Sequence, residues 1–169
     1  MSFVEEAISV EAYDEAWPEQ FASEAARLKD GLAGDLVAVE HVGSTAVAGL
    51  AAKPIVDVML GVTDLSATKD LAQRLNHMGY EDCGGADDRR YFRKRGEAPH
   101  YNVQVIEYES PTWNENILFR TFLRCGPTAA KRYAEMKRAA AEKAPSLLAY
   151  STLKAHTIDE LLREPRKRP

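Results

Sequence analysis

The stretch His41-Val42-Gly43-Ser44-Thr45 and, thirteen residues after Ser44, Asp57 within Lys53-Pro54-Ile55-Val56-Asp57-Val58-Met59-Leu60 hold the residue types best suited to chemistry. A Gly-Ser turn that opens into a helical stretch leaves backbone N–H groups pointing outward, and these form a small anion seat suited to a phosphate. An aspartate on the neighbouring strand can hold a Mg2+ ion against that phosphate. A phosphate seat beside a metal-binding strand carboxylate is the working core of nucleotidyl transfer. The next residue on the same strand face is Met59, which carries no charge.

These side chains need two strands and a tight connection to position them. Residues 36–42 read as a strand, 46–52 as a short helical stretch and 54–61 as a second strand. Along that second strand Ile55, Asp57, Met59 and Gly61 share one face, while Val56, Val58 and Leu60 form the opposite, core-facing one. A later strand, 100–107, sets Asn102 and Gln104 on one side and Val103 and Val105 on the other. With the valines inward, Asn102 and Gln104 look toward Asp57.

Around these strands the pattern is helical. Trp17, Phe21, Ala25, Leu28 and Leu32 recur at helical spacing, so 15–32 reads as an amphipathic helix ending near Gly34. Asp64 is placed to cap a further helix carrying Leu65, Leu71, Leu75 and Met78. Residues 81–88, polar and glycine-bearing, read as a loop, and 90–95 as a strand. Helices follow over 110–125, 128–143 and 147–163, separated by Gly126-Pro127 and Pro145.

Several cations accompany the strand aspartate. Arg89, Arg90, Arg93, Lys94 and Arg95 place five positive charges in seven residues around Tyr91 and Phe92. Alternation sends Arg89, Tyr91, Arg93 and Arg95 to one face and Arg90, Phe92 and Lys94 to the other. Two readings stand: forked guanidinium groups that bind phosphate, or a solvated edge strand protected by charge and paired with Asp87 and Asp88. Lys53, just before the Asp57 strand, can neutralise Asp57 or a ligand phosphate, or simply be a surface lysine. Lys154 shares a helix face with Tyr150 and Ile158, as a directed cation or a snorkelling stem. His41 suits a local hydrogen bond that fixes the glycine turn. Asp57 itself reads either as a ligand-site acid or as an acid hydrogen-bonded near a sheet end.

Bulk properties narrow the function class. The chain has 169 residues, enough for one hydrophobic core, and 22 Lys and Arg against 26 Asp and Glu. A formal charge of −4 argues against general nucleic-acid binding, which needs a broad basic surface, but leaves room for a local phosphate pocket. Two cysteines, Cys83 and Cys125, form neither a disulfide framework nor a metal-ligand spacing. No apolar run approaches the roughly 20 residues of a membrane span, and no charged-then-apolar leader opens the chain. A soluble, cytoplasmic protein is expected.

The central block, Glu40-His41-Val42-Gly43-Ser44-Thr45-Ala46-Val47-x-Gly49-Leu50-Ala51-Ala52-Lys53-Pro54-Ile55-x-Asp57, is similar to the Gly-Ser…Asp-x-Asp signature of DNA polymerase β-like nucleotidyltransferases. More closely, the chain resembles the GrpB family, a branch of that superfamily. Tyr13-Asp14-x-x-Trp17-Pro18-x-x-Phe21, Arg90-Tyr91-Phe92-Arg93-Lys94, Val103-x-Val105-x-Glu107, Phe119-Arg120-x-x-Leu123-Arg124 and Tyr133-x-x-x-Lys137 extend the match. The resemblance implies an α/β (α+β) class fold, a nucleotidyltransferase-like mixed β-sheet packed with helices and a C-terminal helical segment. It implies a single domain over 1–169, with a sheet-bearing core at 13–108 and a helical part at 110–163.

By analogy Met59 occupies the place of a second carboxylate and Gln104 that of a third, where many GrpB relatives carry histidine. Two-metal phosphoryl chemistry needs several negative oxygens around cations roughly 4 Å apart. One carboxylate supports at most a single Mg2+ completed by substrate phosphates. On this basis Met59→Asp is expected to tighten metal affinity. The expected function is Mg2+-dependent transfer of a nucleotidyl group to a small acceptor. Asp57 and Ser44 are then the catalytic candidates, with Asp57 as metal ligand. Gly43, Ser44, Thr45, Lys53, Arg90, Arg93, Gln104 and Lys154 are the ligand-binding candidates. The alternative is a catalytically silent fold that binds a nucleotide or another phosphorylated small molecule, or serves a partner protein. The resemblance also extends to domains fused to dephospho-CoA kinases, a cofactor-metabolism context that assigns no reaction.

Overall fold

A computed structural model describes residues 9–143. Its elements run α1 (Trp17–Gly31), β1 (Leu36–Val42), β2 (Ile55–Val62), α2 (Lys69–His77), β3 (Glu81–Ala86), β4 (Arg89–Lys94), β5 (His100–Glu107), α3 (Pro111–Cys125) and α4 (Pro127–Lys143), with single 3-10 turns at Ser44–Ala46 and Leu65–Ala67. The five strands form one mixed sheet in the order β1-β2-β5-β4-β3. Only β2 and β5 are parallel; the other neighbouring pairs are antiparallel. The class is the mixed α+β arrangement expected.

Strand alternation divides the sheet into two unlike faces. One carries Val56, Val58, Leu60, Val62, Tyr101, Val103, Val105 and Phe92, all buried against Trp17, Leu28 and Leu32 from the α1 region and Leu71 and Leu75 of α2. Val58, Leu60, Val103 and Val105 are fully excluded from water, which stabilises the fold by roughly 1.5–3 kcal/mol per side chain. The opposite face is covered at one side by α3, where Trp113 and Ile117 pack on Val42, Met59, Ile106 and Ala38. Leu123 of α3 and Tyr133 of α4 close over Val47 and Leu50. Between α3 and β3 this second face keeps its polar residues.

Three local expectations change. Residues 81–86 are a strand rather than a loop: β3 pairs with β4 through Glu81–Arg93, Asp82–Phe92 and Gly85–Arg90, with a register shift between Asp82 and Gly85. Glycine and acidic residues have low intrinsic strand preference, and here pairing with β4 overrides it. A β-carbon on Gly85 would lie 2.3 Å from the Arg89 carbonyl, so the tight hairpin needs glycine there. Consequently β4 is an interior strand, and its arginines do not guard an edge. Residues 46–52 form no helix; the 3-10 turn ends at Ala46, and Ala52 instead bridges to Glu11. Asp64 caps the short 3-10 turn through Ser66 N–H, and α2 begins only at Lys69. The 147–163 helix lies outside the described residues.

Candidate functional site

β1 ends at Val42, which stands in register with Asp57 on β2. Gly43 then turns the chain with φ 72° and ψ −167°, a region of backbone space essentially reserved for glycine. An added β-carbon would fall 2.3 Å from Asp57 Oδ2, so the turn and the carboxylate are in direct contact. Ser44 and Thr45 follow in the 3-10 turn, both buried.

The turn is held from both sides of the sheet. Below it, His41 Nε2 and Thr45 Oγ1 share a hydrogen bond of 3.0 Å, and the imidazole stacks on Phe21 of α1 at 4.6 Å. Burial first, then the positive charges of Arg124 and Arg120, pull the His41 pKa down to about 4, so the ring is neutral near pH 7. From α3, Arg120 Nη1 donates to the His41 carbonyl and to Glu40 Oε2, both at 2.7 Å. Arg124 Nε donates to the Ala46 carbonyl at 2.9 Å. These two arginines thus fasten the carbonyls on either side of Gly43-Ser44-Thr45. Neither was a sequence candidate. Their signal was the i, i+4 spacing within Phe119-Arg120-x-x-Leu123-Arg124, which places both on one helix face.

Asp57 heads a polar row running across the open face. Asn102 Nδ2 donates to Asp57 Oδ1 at 2.9 Å, and Asn102 Oδ1 accepts from Arg95 Nη2 at 2.8 Å. Arg95 also holds the Tyr101 carbonyl at 2.8 Å. The arginine fixes the orientation of the Asn102 amide, so its NH2 faces the aspartate. Arg93 is in register with Asn102 and pairs with Glu81 Oε2 at 2.7 Å. Gln104, in register with both Met59 and Tyr91, accepts from Arg89 Nη1 at 3.3 Å.

The sequence candidates therefore separate. Gly43, Ser44, Thr45 and Asp57 meet at one end of β1 and β2. Arg93 and Gln104 share the Asp57 face, across the sheet from it. Lys53 is half-buried just before β2. Arg90 lies on the other face, in register with Val105, where it bonds Asp82 Oδ2 at 2.6 Å and lies over the Phe92 ring. The sheet stands between Arg90 and Asp57. Lys154 lies outside the described residues. Asn102, which alternation already turned toward Asp57, joins the site through its bond to that carboxylate, and Arg95 is the addition.

The donor set does not fit a two-metal centre. Met59 is fully buried among Val42, Ile106 and Trp113, Asn102 presents an N–H donor to Asp57, and the Gln104 oxygen accepts from Arg89. Among the described residues no three His, Cys, Asp or Glu side chains cluster as metal ligands. Asp57 Oδ2 alone suits a hard cation, so a lone Mg2+ would need ligand phosphates for the rest of its coordination. A separate cavity of about 220 Å3, lined by Gly34, Asp35, Val62, Thr63, Asp64 and Thr68, opens beyond the far end of β2.

The GrpB protein family model matches residues 7–164. The chain belongs to the GrpB family. It is 34% identical over 140 residues to UPF0157 protein YqkA of Bacillus subtilis, an alignment covering 82% of this chain and 41% of the relative. It thus spans about two fifths of that curated relative's length. The crystal structure of GrpB from Enterococcus faecalis superposes with a TM-score of 0.75 at 31% identity, covering 91% of this chain and 99% of that one. The Cid1 poly(U) polymerase, in a crystal structure with Mg 3'-dATP bound, superposes with a TM-score of 0.51 at 12% identity over 85% of this chain and 49% of its own. That likeness is one of fold, and the fold is nucleotidyltransferase-like. No helix among the described residues is long and apolar enough to cross a membrane.

Proposed function

We propose that the chain binds a nucleotide, or another phosphorylated small molecule, on the open sheet face beside Gly43-Ser44-Thr45. In this reading residues 1–169 work as one domain in the cytoplasm. The observation that carries it is the contact between Gly43 and Asp57 Oδ2, which joins a backbone turn rich in N–H groups to a strand carboxylate. The Gly43-Ser44-Thr45 turn, whose flanking His41 and Ala46 carbonyls are held from α3 by Arg120 and Arg124, would turn backbone N–H groups to a phosphate. Arg93 and Arg95 add positive charge on the same face, while Asn102 keeps the Asp57 carboxylate oriented. A Mg2+ ion carried in by the phosphates would be held by Asp57 and would screen phosphate charge from it.

Binding without turnover is the reading the geometry favours, because Met59 and Gln104 supply no charge where paired cations would need it. Transfer of a nucleotidyl group to a small acceptor is the second reading, favoured by the superposition on a nucleotide polymerase. Thermal-shift and calorimetric titration of the four ribonucleoside triphosphates, with Mg2+ and with EDTA, test both. Stabilisation without pyrophosphate release supports binding; pyrophosphate release supports transfer. Absence of any nucleotide effect defeats both.

A further inference from the structure

We infer that Tyr91 is a stacking platform for a nucleobase, so that the open sheet face reads the base as well as the phosphate; this rests on the nucleotide reading proposed above. Tyr91 is the large aromatic on the Asp57 face of β4, and 39% of it is exposed in the middle of an interior strand. An interior strand would ordinarily bury such a ring against a covering element, as Phe92 is buried on the other face. Among the described residues no ring stacks on Tyr91.

Its neighbours form a frame. Two residues to either side, Arg89 and Arg93 project from the same face, each held at 2.7 Å by a carboxylate, Asp88 Oδ2 and Glu81 Oε2 respectively. Guanidinium planes beside an aromatic ring favour a flat, electron-rich guest and draw anions toward it. Gln104 lies next to Tyr91 in register, its oxygen occupied by Arg89. Its amide N–H2 has no partner among the described residues and suits an acceptor on a base edge.

The spacing agrees with one bound molecule. Tyr91 and Asp57 lie two strands apart and one face-repeat along, so their α-carbons are separated by roughly 12 Å, from interstrand gaps of about 4.8 Å and a rise of about 3.4 Å per residue. A nucleotide has its base and its terminal phosphate at opposite ends. With the phosphates at Gly43-Ser44 and Asp57, an extended ribose would carry the base over the Arg93–Asn102 pair toward Tyr91. The face therefore selects a nucleotide over a phosphorylated sugar or inorganic phosphate.

Calorimetry of the full chain with ATP, UTP and inorganic tripolyphosphate tests this. The parent should bind at least one of the nucleotides about 10-fold to 100-fold more tightly than tripolyphosphate, as one stacked base contributes. Tyr91→Ala should erase that difference while leaving tripolyphosphate affinity unchanged and the chain folded. Tyr91→Trp should keep it, with indole fluorescence quenched on nucleotide addition. Equal affinity of the parent for nucleotide and tripolyphosphate overturns the inference and leaves phosphate binding standing. Undiminished nucleotide binding by Tyr91→Ala overturns it as well. If neither nucleotide nor tripolyphosphate binds, the underlying functional reading fails with it.

Discussion

The α-carbon of Gly43 packs against Asp57 so closely that a methyl group there would sit 2.3 Å from Oδ2. Two costs therefore fall on Gly43→Ala: a backbone conformation with φ 72° and ψ −167°, and displacement of the carboxylate. The first is of order 1–3 kcal/mol, and the second adds to it. A total loss near 3 kcal/mol in urea denaturation is expected. Repeating the change in an Asp57→Ala background should recover at least about 1 kcal/mol, since only the backbone cost survives. Identical losses in both backgrounds would show that the contact carries no energy.

Asp57→Asn separates ligand service from structure. Asn102 Nδ2 can donate to a carboxamide oxygen as it does to Asp57 Oδ1, so the Arg95–Asn102 row persists. Stability should change by no more than about 1 kcal/mol. Mg2+-dependent nucleotide binding, followed by calorimetry, should disappear, because the carboxylate packed against Gly43 is gone. A variant that binds like the parent, or that unfolds, would make Asp57 a purely structural acid.

Met59→Asp no longer reads as a way to tighten metal affinity. Met59 is on the Asp57 face, as alternation requires, but α3 lies over it and leaves it no exposure. The new carboxylate would be buried beside Val42, Ile106 and Trp113 without a cation. Loss of on the order of 3–5 kcal/mol at neutral pH is expected, from the cavity and the uncompensated charge together. Protonation should relieve part of it, so the deficit should shrink as pH is lowered. A folded variant of parental stability with measurable Mg2+ affinity would reinstate the sequence-based expectation.

That case marks what sequence could and could not convey. Strand alternation correctly divided each strand: it set Asn102 and Gln104 toward Asp57 and separated Arg93 from Arg90 and Phe92, but only the pairing of β4 with β5 shows that Arg93, and not Arg90, shares the Asp57 face. Periodicity cannot say what covers a face, so the shielding of Met59 by Trp113 was invisible. β3 was missed because its strand character comes from pairing with β4 and not from its own Glu-Asp-Cys-Gly-Gly-Ala composition. Arg120 and Arg124 look like ordinary basic residues on a helix until α3 is docked on the His41 and Ala46 carbonyls. The Arg95–Asn102 bond depends on the order of β4 and β5, which no local pattern encodes.

His41 gives the turn a pH limit. Its folded pKa, about 4, lies below the ordinary 6.5, since burial and the nearby Arg124 and Arg120 disfavour the imidazolium. The fold therefore prefers neutral His41, and this contribution is present in full above pH 6.5. It is lost as pH falls from 6.5 toward 4, because the unfolded chain takes up the proton first. The loss should reach on the order of 3 kcal/mol at the lower end of that window. Carboxylates titrate nearby, so the informative quantity is a difference. Urea denaturation between pH 7.5 and 4.5 should show the stability gap between the parent and His41→Gln narrowing as pH drops, because glutamine cannot take up a proton. A gap independent of pH would mean that His41 charges as readily in the folded chain as in the unfolded one. In that event burial and the charges of Arg124 and Arg120 do not confine it to the neutral form.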